Sequence, residues 1–228
     1  MMLEMIANTN WKRPLYVAMT VGEDNYFNLG RSFVQEGLAY RITPFANRNK
    51  AVDTDKMYDN LMHKFKFGGL KDKDLYLDET VMRMCYTHRR LFAILANALI
   101  KEGKKDKAIK VLKKCAIEIP SKVVPNTVYS GAIDLAESFR DVGMKKEALA
   151  TLDDLTKECT QYLTFMSSLS TERLSSYQRD FSLYLQLMLN ISKDYSTLDK
   201  AKGKLCNKEV QAFWAGYTSR MGYNKSER

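Results

Sequence analysis

Apolar residues recur at helical spacing through most of the chain beyond residue 70. Val81, Met84, Cys85, Phe92, Leu95 and Leu99 share one side of a segment running from 79 to 102. That spacing predicts one long helix, with Asp78 and Glu79 at its acidic start. Ile109 and Leu112 continue the pattern on a second helix after Gly103. Farther on, Leu174, Phe181, Leu185, Met188 and Ile191 predict a helix of about six turns, capped by Thr171. Phe213, Trp214 and Tyr217 predict a last helix over 208–221, and the polar tail from 222 is expected to fray.

The first 70 residues carry a different pattern. The run 15–21, between Pro14 and Gly22, suits a buried strand. Asp24 can cap a helix through Tyr26, Leu29, Phe33 and Val34, which Gly37 ends. Residues 38–45 read as a second strand, with Pro44 at its end or edge. Strand, helix and strand within about 30 residues predict a βαβ unit with parallel strands. Two strands make a poor sheet, so a helix over 53–67 and the run 75–77 are expected to cover it, or something outside this chain completes it. Gly68 and Gly69 read as a turn, without the spacing of a phosphate loop. The expected fold is therefore mainly α, a helical hairpin stack over 71–228 preceded by a small α/β unit over 1–70.

Two segments repeat with an offset of 40 residues. Ala96, Gly103, Ala108 and Leu112 correspond to Ala136, Gly143, Ala148 and Leu152. The small residues let paired helices approach, and the glycines supply a left-handed turn between them. Residues 89–160 resemble the tetratricopeptide repeat, a family of stacked helical hairpins. In its frame of about 34 positions, Ala96, Gly103, Ala108 and Pro120 take the small, turn, small and proline places. In the second unit Ala132 stands where the family has an aromatic, and Thr160 where it has proline. Two repeats are fewer than the roughly three such stacks need, so neighbouring helices must cap both ends.

Charge and cysteine content narrow the picture. Net charge is +9, and residues 101–122 alone hold eight lysines against three acids. A lysine-rich helix face is solvated more often than it binds phosphate, and no aromatics are interleaved to stack bases, so nucleic acid is not the expected partner. Cys85, Cys115, Cys159 and Cys206 are widely spaced, and His63 and His88 are the two histidines. No zinc spacing exists, so buried free thiols and no metal or cofactor are expected. No apolar run approaches the roughly 20 residues of a membrane helix, and the start reads as no secretory signal.

Longer runs carry a second resemblance. They are 6–45 (IANTNWKRPLYVAMTVGEDNYFNLGRSFVQEGLAYRITPF), 55–70 (DKMYDNLMHKFKFGGL), and Tyr76 to Asp78 followed by 83–104 (RMCYTHRRLFAILANALIKEGK). These are similar to the soluble C-terminal region of a family of bacterial multi-pass envelope proteins. In that family a membrane domain resembling C-type lipid-linked-sugar glycosyltransferases precedes tetratricopeptide-like helices. The resemblance implies a periplasmic location beside a membrane domain that this chain lacks. Free cysteines sit awkwardly in a periplasm.

The chain offers no nucleophile elbow, no metalloprotease helix and no histidine with an evident partner. The expected role is a non-catalytic module holding a protein or peptide, with the membrane domain of its own parent as one candidate partner. By analogy with the repeat family, the groove positions are Arg90, Ala93 and Asn97, then Ser130, Ile133, Glu137 and Arg140, of which Arg90, Asn97, Ser130, Glu137 and Arg140 are the candidate contacts. Asn10, Trp11, Lys12 and Arg13 have two readings: Trp11 docks on the core, or the four contact a membrane surface or the absent domain. The alternative function is a composite sugar- or lipid-phosphate site completed by that domain.

Overall fold

The structure, a computed structural model, describes residues 2–46, 51–72 and 74–222. It is mainly helical, with a small antiparallel sheet ahead of a helical stack. The chain forms two compact units: Met1–Leu75 with Leu91–Pro120, and Tyr76–Arg90 with Ser121–Arg228. The boundary expected at residue 70 does not separate them, because helix α3 (Glu79–Lys101) gives its first half to one unit and its second half to the other.

In the first unit, helix α1 (Met2–Thr9) precedes strands β1 (Tyr16–Ala18), β2 (Phe33–Gln35) and β3 (Ala39–Ile42). The sheet order is β1-β3-β2, and both pairings are antiparallel. The expected βαβ unit is thus corrected. Residues 26–34 form no α-helix: two 3-10 turns, Glu23–Asn25 and Leu29–Ser32, lead into β2. Phe27 and Asn28 take left-handed φ of 47° and 62°, which no helix continues. A three-residue connection through Gly37, at φ 145°, then folds β3 back on β2, which only an antiparallel pair permits. The aromatic and β-branched pair Phe33-Val34 suits a pleated surface better than a helix.

Val17, Phe33 and Ile42 centre a small core, covered by Met2 and Ile6 of α1 and by Tyr26 and Leu29 of the 3-10 segment. Glu36 beside it is 7% exposed, yet it is paired with Arg41 at 2.6 Å and Lys56 at 3.0 Å and accepts the Tyr16 hydroxyl at 3.0 Å. Helix α2 (Thr54–Asp59), capped by Asp53, runs on as a π-helical turn, Asn60–Lys64. Gly68 turns the chain at φ 57°.

The second half of α3 and helix α4 (Lys105–Glu118) bury Leu91, Phe92, Leu95, Ala96, Leu99, Ala108, Val111 and Leu112. Gly103 joins them at φ 74°. Part of the lysine cluster is spent within the unit. Lys104 pairs with Glu102 and Asp55, Lys107 with Asp55, and Lys114 donates to the Met62 carbonyl at 2.8 Å.

In the second unit, α5 (Ala132–Val142) and α6 (Lys145–Ser168) are joined through Gly143 at φ 85°. Helices α7 (Thr171–Ser176), α8 (Gln178–Leu198) and α9 (Lys200–Met221) follow. The core runs from Ala136, Leu152 and Leu155 through Phe181, Met188 and Ile191 to Val210 and Tyr217. Three expected boundaries are corrected. Ser170, not Thr171, caps α7; the chain breaks at Tyr177; and α9 starts at Lys200, where Asp199 accepts from Ala201 and Lys202. The four cysteines are buried, and none of them is in a disulfide. Residues 223–228, within the tail expected to fray, lie outside the described residues.

Candidate functional site

The first half of α3 places polar side chains on one stripe. Glu79, Arg83, Tyr86, Thr87 and Arg90 recur at three- and four-residue steps. With the turn 127–129 and the face of α6 that carries Glu158 and Tyr162, this stripe lines an open cleft of about 820 Å³ in the second unit. Arg83 spends its charge on Glu79, 2.5 Å away.

The turn 127–130 sets the cleft's geometry. The Ser130 hydroxyl is fully buried; it accepts from the Thr127 N–H at 2.9 Å and donates to the Thr127 carbonyl at 2.8 Å. That lock holds Val128 and Tyr129 between two charged side chains. Arg90 donates to the Tyr129 carbonyl at 2.5 Å, and Glu158 accepts the Val128 N–H at 2.7 Å. Gly131, at φ 75°, completes the fit: a Cβ there would meet Arg90 Cγ at 2.5 Å. Burial pushes the Glu158 carboxyl above the ordinary range, and the Val128 N–H only partly offsets it.

Tyrosines complete the walls. Tyr162 stacks on Tyr184, with ring centroids 4.6 Å apart and planes 14° from parallel. Tyr162 and Tyr129 are about half exposed. The Tyr184 hydroxyl is raised by burial first and then by Tyr129 and Tyr162.

The structure disperses the expected groove residues. Arg90 lies in the cleft. Ser130 is enclosed and makes the turn, so it offers nothing to a partner; a buried hydroxyl needs its bonds inside. Glu137 and Arg140 lie farther along α5. Arg140 bonds Asp141 at 2.9 Å and pairs with Asp194 of α8; these acids hold its charge although burial opposes it. Glu137 is half-buried, raised by burial first and by Asp194 next. Asn97 is half-buried in the other compact unit.

Asn10, Trp11, Lys12 and Arg13 are all exposed. Asn10 and Trp11 take left-handed φ of 45° and 60°, and the Lys12 N–H closes the turn on Thr9 at 2.9 Å. Trp11 is 43% exposed, so its docking on the core is corrected. The layer that covers the small core by Met2, Ile6, Tyr26 and Leu29 turns Leu3, Met5 and Phe27 outward.

A second cavity of about 570 Å³ lies against α6, α7 and α9. Its Arg220 donates to the carbonyls of Ser167 and Leu169 at the end of α6, so that charge is spent on capping. Among the described residues no group of three His, Cys, Asp or Glu side chains could hold a metal ion. No helix there is long and apolar enough to cross a membrane.

Sequence reasoning missed Glu158, Tyr129, Tyr162, Tyr86 and Arg83. The stripe 79, 83, 86, 87, 90 was visible as the polar side of the long helix. Glu158 and Tyr162 were visible as an i,i+4 pair, but nothing in the sequence set them opposite α3.

No curated protein and no solved structure matches the chain. Residues 1–61 match the family model described as TMEM260-associated domain 2, a membrane-protein-associated family of unknown function.

Proposed function

We propose that this chain is a non-catalytic holding module. In this reading it is a tetratricopeptide-like stack in a bacterial periplasm, accessory to a glycosyltransferase-like membrane protein, with the second unit's cleft as the seat for a polypeptide partner. One observation carries it: the cleft sets Tyr86, Tyr129 and Tyr162 beside Arg83 and Arg90. Tyrosine and arginine dominate the residues from which interfaces draw their binding energy. The match of residues 1–61 to a membrane-protein-associated domain supports the setting. The test replaces Tyr162 with a photo-crosslinking phenylalanine analogue in the chain expressed in its own cells. A discrete adduct is expected from this site and not from Ile117, which is 60% exposed on α4 of the other unit. Equal labelling from both positions, or none, overturns the holding role.

Trp11 favours a second reading, in which residues 10–13 contact the membrane or its embedded domain and so help build a composite sugar- or lipid-phosphate site. An exposed indole on left-handed backbone beside Lys12 and Arg13 suits a bilayer surface. With Trp214 replaced by Phe, anionic vesicles should shift Trp11 emission to the blue; an unchanged spectrum removes this reading.

A further inference from the structure

Two charges in the cleft remain uncompensated. Arg90's bond goes to a neutral carbonyl and Glu158's to a neutral N–H. Among the described residues neither makes an ion pair, with each other or elsewhere. Both are anchored to the dipeptide Val128-Tyr129, which keeps them within about 12 Å of each other by backbone dimensions. A lone anion would satisfy Arg90 and confront Glu158; a lone cation would do the reverse. An occupant with both signs meets both groups at once.

We propose, resting on the holding role above, that the cleft recognises an extended polypeptide segment with an acidic and a basic side chain two residues apart. In an extended chain, residues i and i+2 project from the same side, about 6.5 to 7 Å apart. Flexible side chains extend that reach to cover the span between Arg90 and Glu158. The acidic side chain meets Arg90 and the basic one meets Glu158. The half-exposed rings of Tyr129 and Tyr162 flank the segment and favour an apolar or aromatic neighbour. The locked turn keeps the two charges from collapsing onto each other when the cleft is empty.

The test uses the full chain and fluorescein-labelled seven-residue peptides, Gly-Ser-X-Phe-Z-Ser-Gly, read by anisotropy. X and Z are Asp and Lys, Asp and Asp, Lys and Lys, or Asn and Gln. The Asp/Lys peptide should bind at least about tenfold tighter than the other three. Glu158→Lys should transfer the preference to the Asp/Asp peptide, and Arg90→Glu to the Lys/Lys peptide. Arg90→Lys, which keeps the charge, should keep the original preference. Variants are compared only after melting curves show them folded. Equal binding of all four peptides overturns the inference, as does a preference that fails to follow the charge swaps. Tighter binding of cellotriose, whose hydroxyls can serve both groups, overturns the polypeptide assignment. Charge-blind peptide binding with the Tyr162 adduct intact removes this inference alone; loss of the adduct removes the holding role itself.

Discussion

Replacing Gly203 by alanine tests how closely α8 and α9 approach. A Cβ at Gly203 would lie 2.8 Å from the Ser196 backbone nitrogen and 2.9 Å from its Cα, closer than carbon atoms settle. It would also lie 2.3 Å from Ser196 Oγ, which can rotate away; the backbone cannot. Alanine in a helix interior gains about 1 kcal/mol over glycine. Overpacking a tight contact costs about 1 to 3 kcal/mol. With backbone atoms on the far side of the contact the overpacking cost falls toward its upper end, so the clash should win by up to about 2 kcal/mol. Gly216, also on α9, has nothing within 4 Å of its Cβ and no positive φ, so Gly216→Ala should keep most of the propensity gain. The two alanines therefore move stability in opposite directions on one helix. Urea unfolding followed by Trp214 fluorescence, in a Trp11→Phe background, reads both. Ser196→Ala added to Gly203→Ala should not restore stability, because the backbone contacts remain. Equal midpoints for the Gly203 and Gly216 variants would refute the close approach.

Four further outcomes follow from particular contacts. Arg89 is 1% exposed and donates to the carbonyls of Val124 at 2.5 Å and Pro125 at 2.9 Å, so Arg89→Leu should cost about 2 to 5 kcal/mol by stranding them, read from the urea midpoint. Glu158 is held above its ordinary 4.5 by burial, so its contribution is greatest below that value and is lost as pH rises through the folded value. Glu158→Gln should therefore stabilise the fold at pH 7 and converge with wild type near pH 4, in midpoints taken at both. Asp199→Ala removes the cap of α9 and should cost about 1 kcal/mol by thermal melting. Cys159 and Cys206 are buried, with thiols pushed up to about 12 and about 11 chiefly by burial, so a thiol reagent at pH 8 should label them only at the unfolding rate.

The helices were legible because their signals are local. Ala96, Ala108, Ala136 and Ala148 are buried, and Gly103 and Gly143 are left-handed, as packing and turning require. The sheet was not legible, for a physical reason. Residues 26–34 hold apolar positions that fit a helical face, but Phe27 and Asn28 break the helix and Phe33-Val34 begin a strand. Spacing alone cannot distinguish a helix from two tight turns and a strand when the apolar positions are so few. The start of α9 was missed because its first turns lack a strong apolar stripe. Asp199 and Gly203 carried that information, one as a cap and one as the point where α8 comes close.

The candidate site was legible on one wall only. Arg90 was found by analogy with the repeat family's groove positions, on a helix whose period is readable; its opposite number, Glu158, lies 68 residues away and meets it only through the turn at 127–130. Ser130 shows why the analogy failed there. Its position in the repeat frame suggested a surface contact, yet its buried hydroxyl is used inside, closing the turn on the N–H and carbonyl of Thr127. The residue expected to touch a partner instead fixes the two groups that can. With Val128 bonded to a carboxylate and Tyr129 to a guanidinium, the turn separates opposite charges that would otherwise neutralise each other. A half-buried carboxylate raised by burial, and in no ion pair among the described residues, is by itself unfavourable for folding. The turn gains two charge-assisted hydrogen bonds from this arrangement, and the proposed occupant would add the charge compensation that those bonds to neutral groups do not supply.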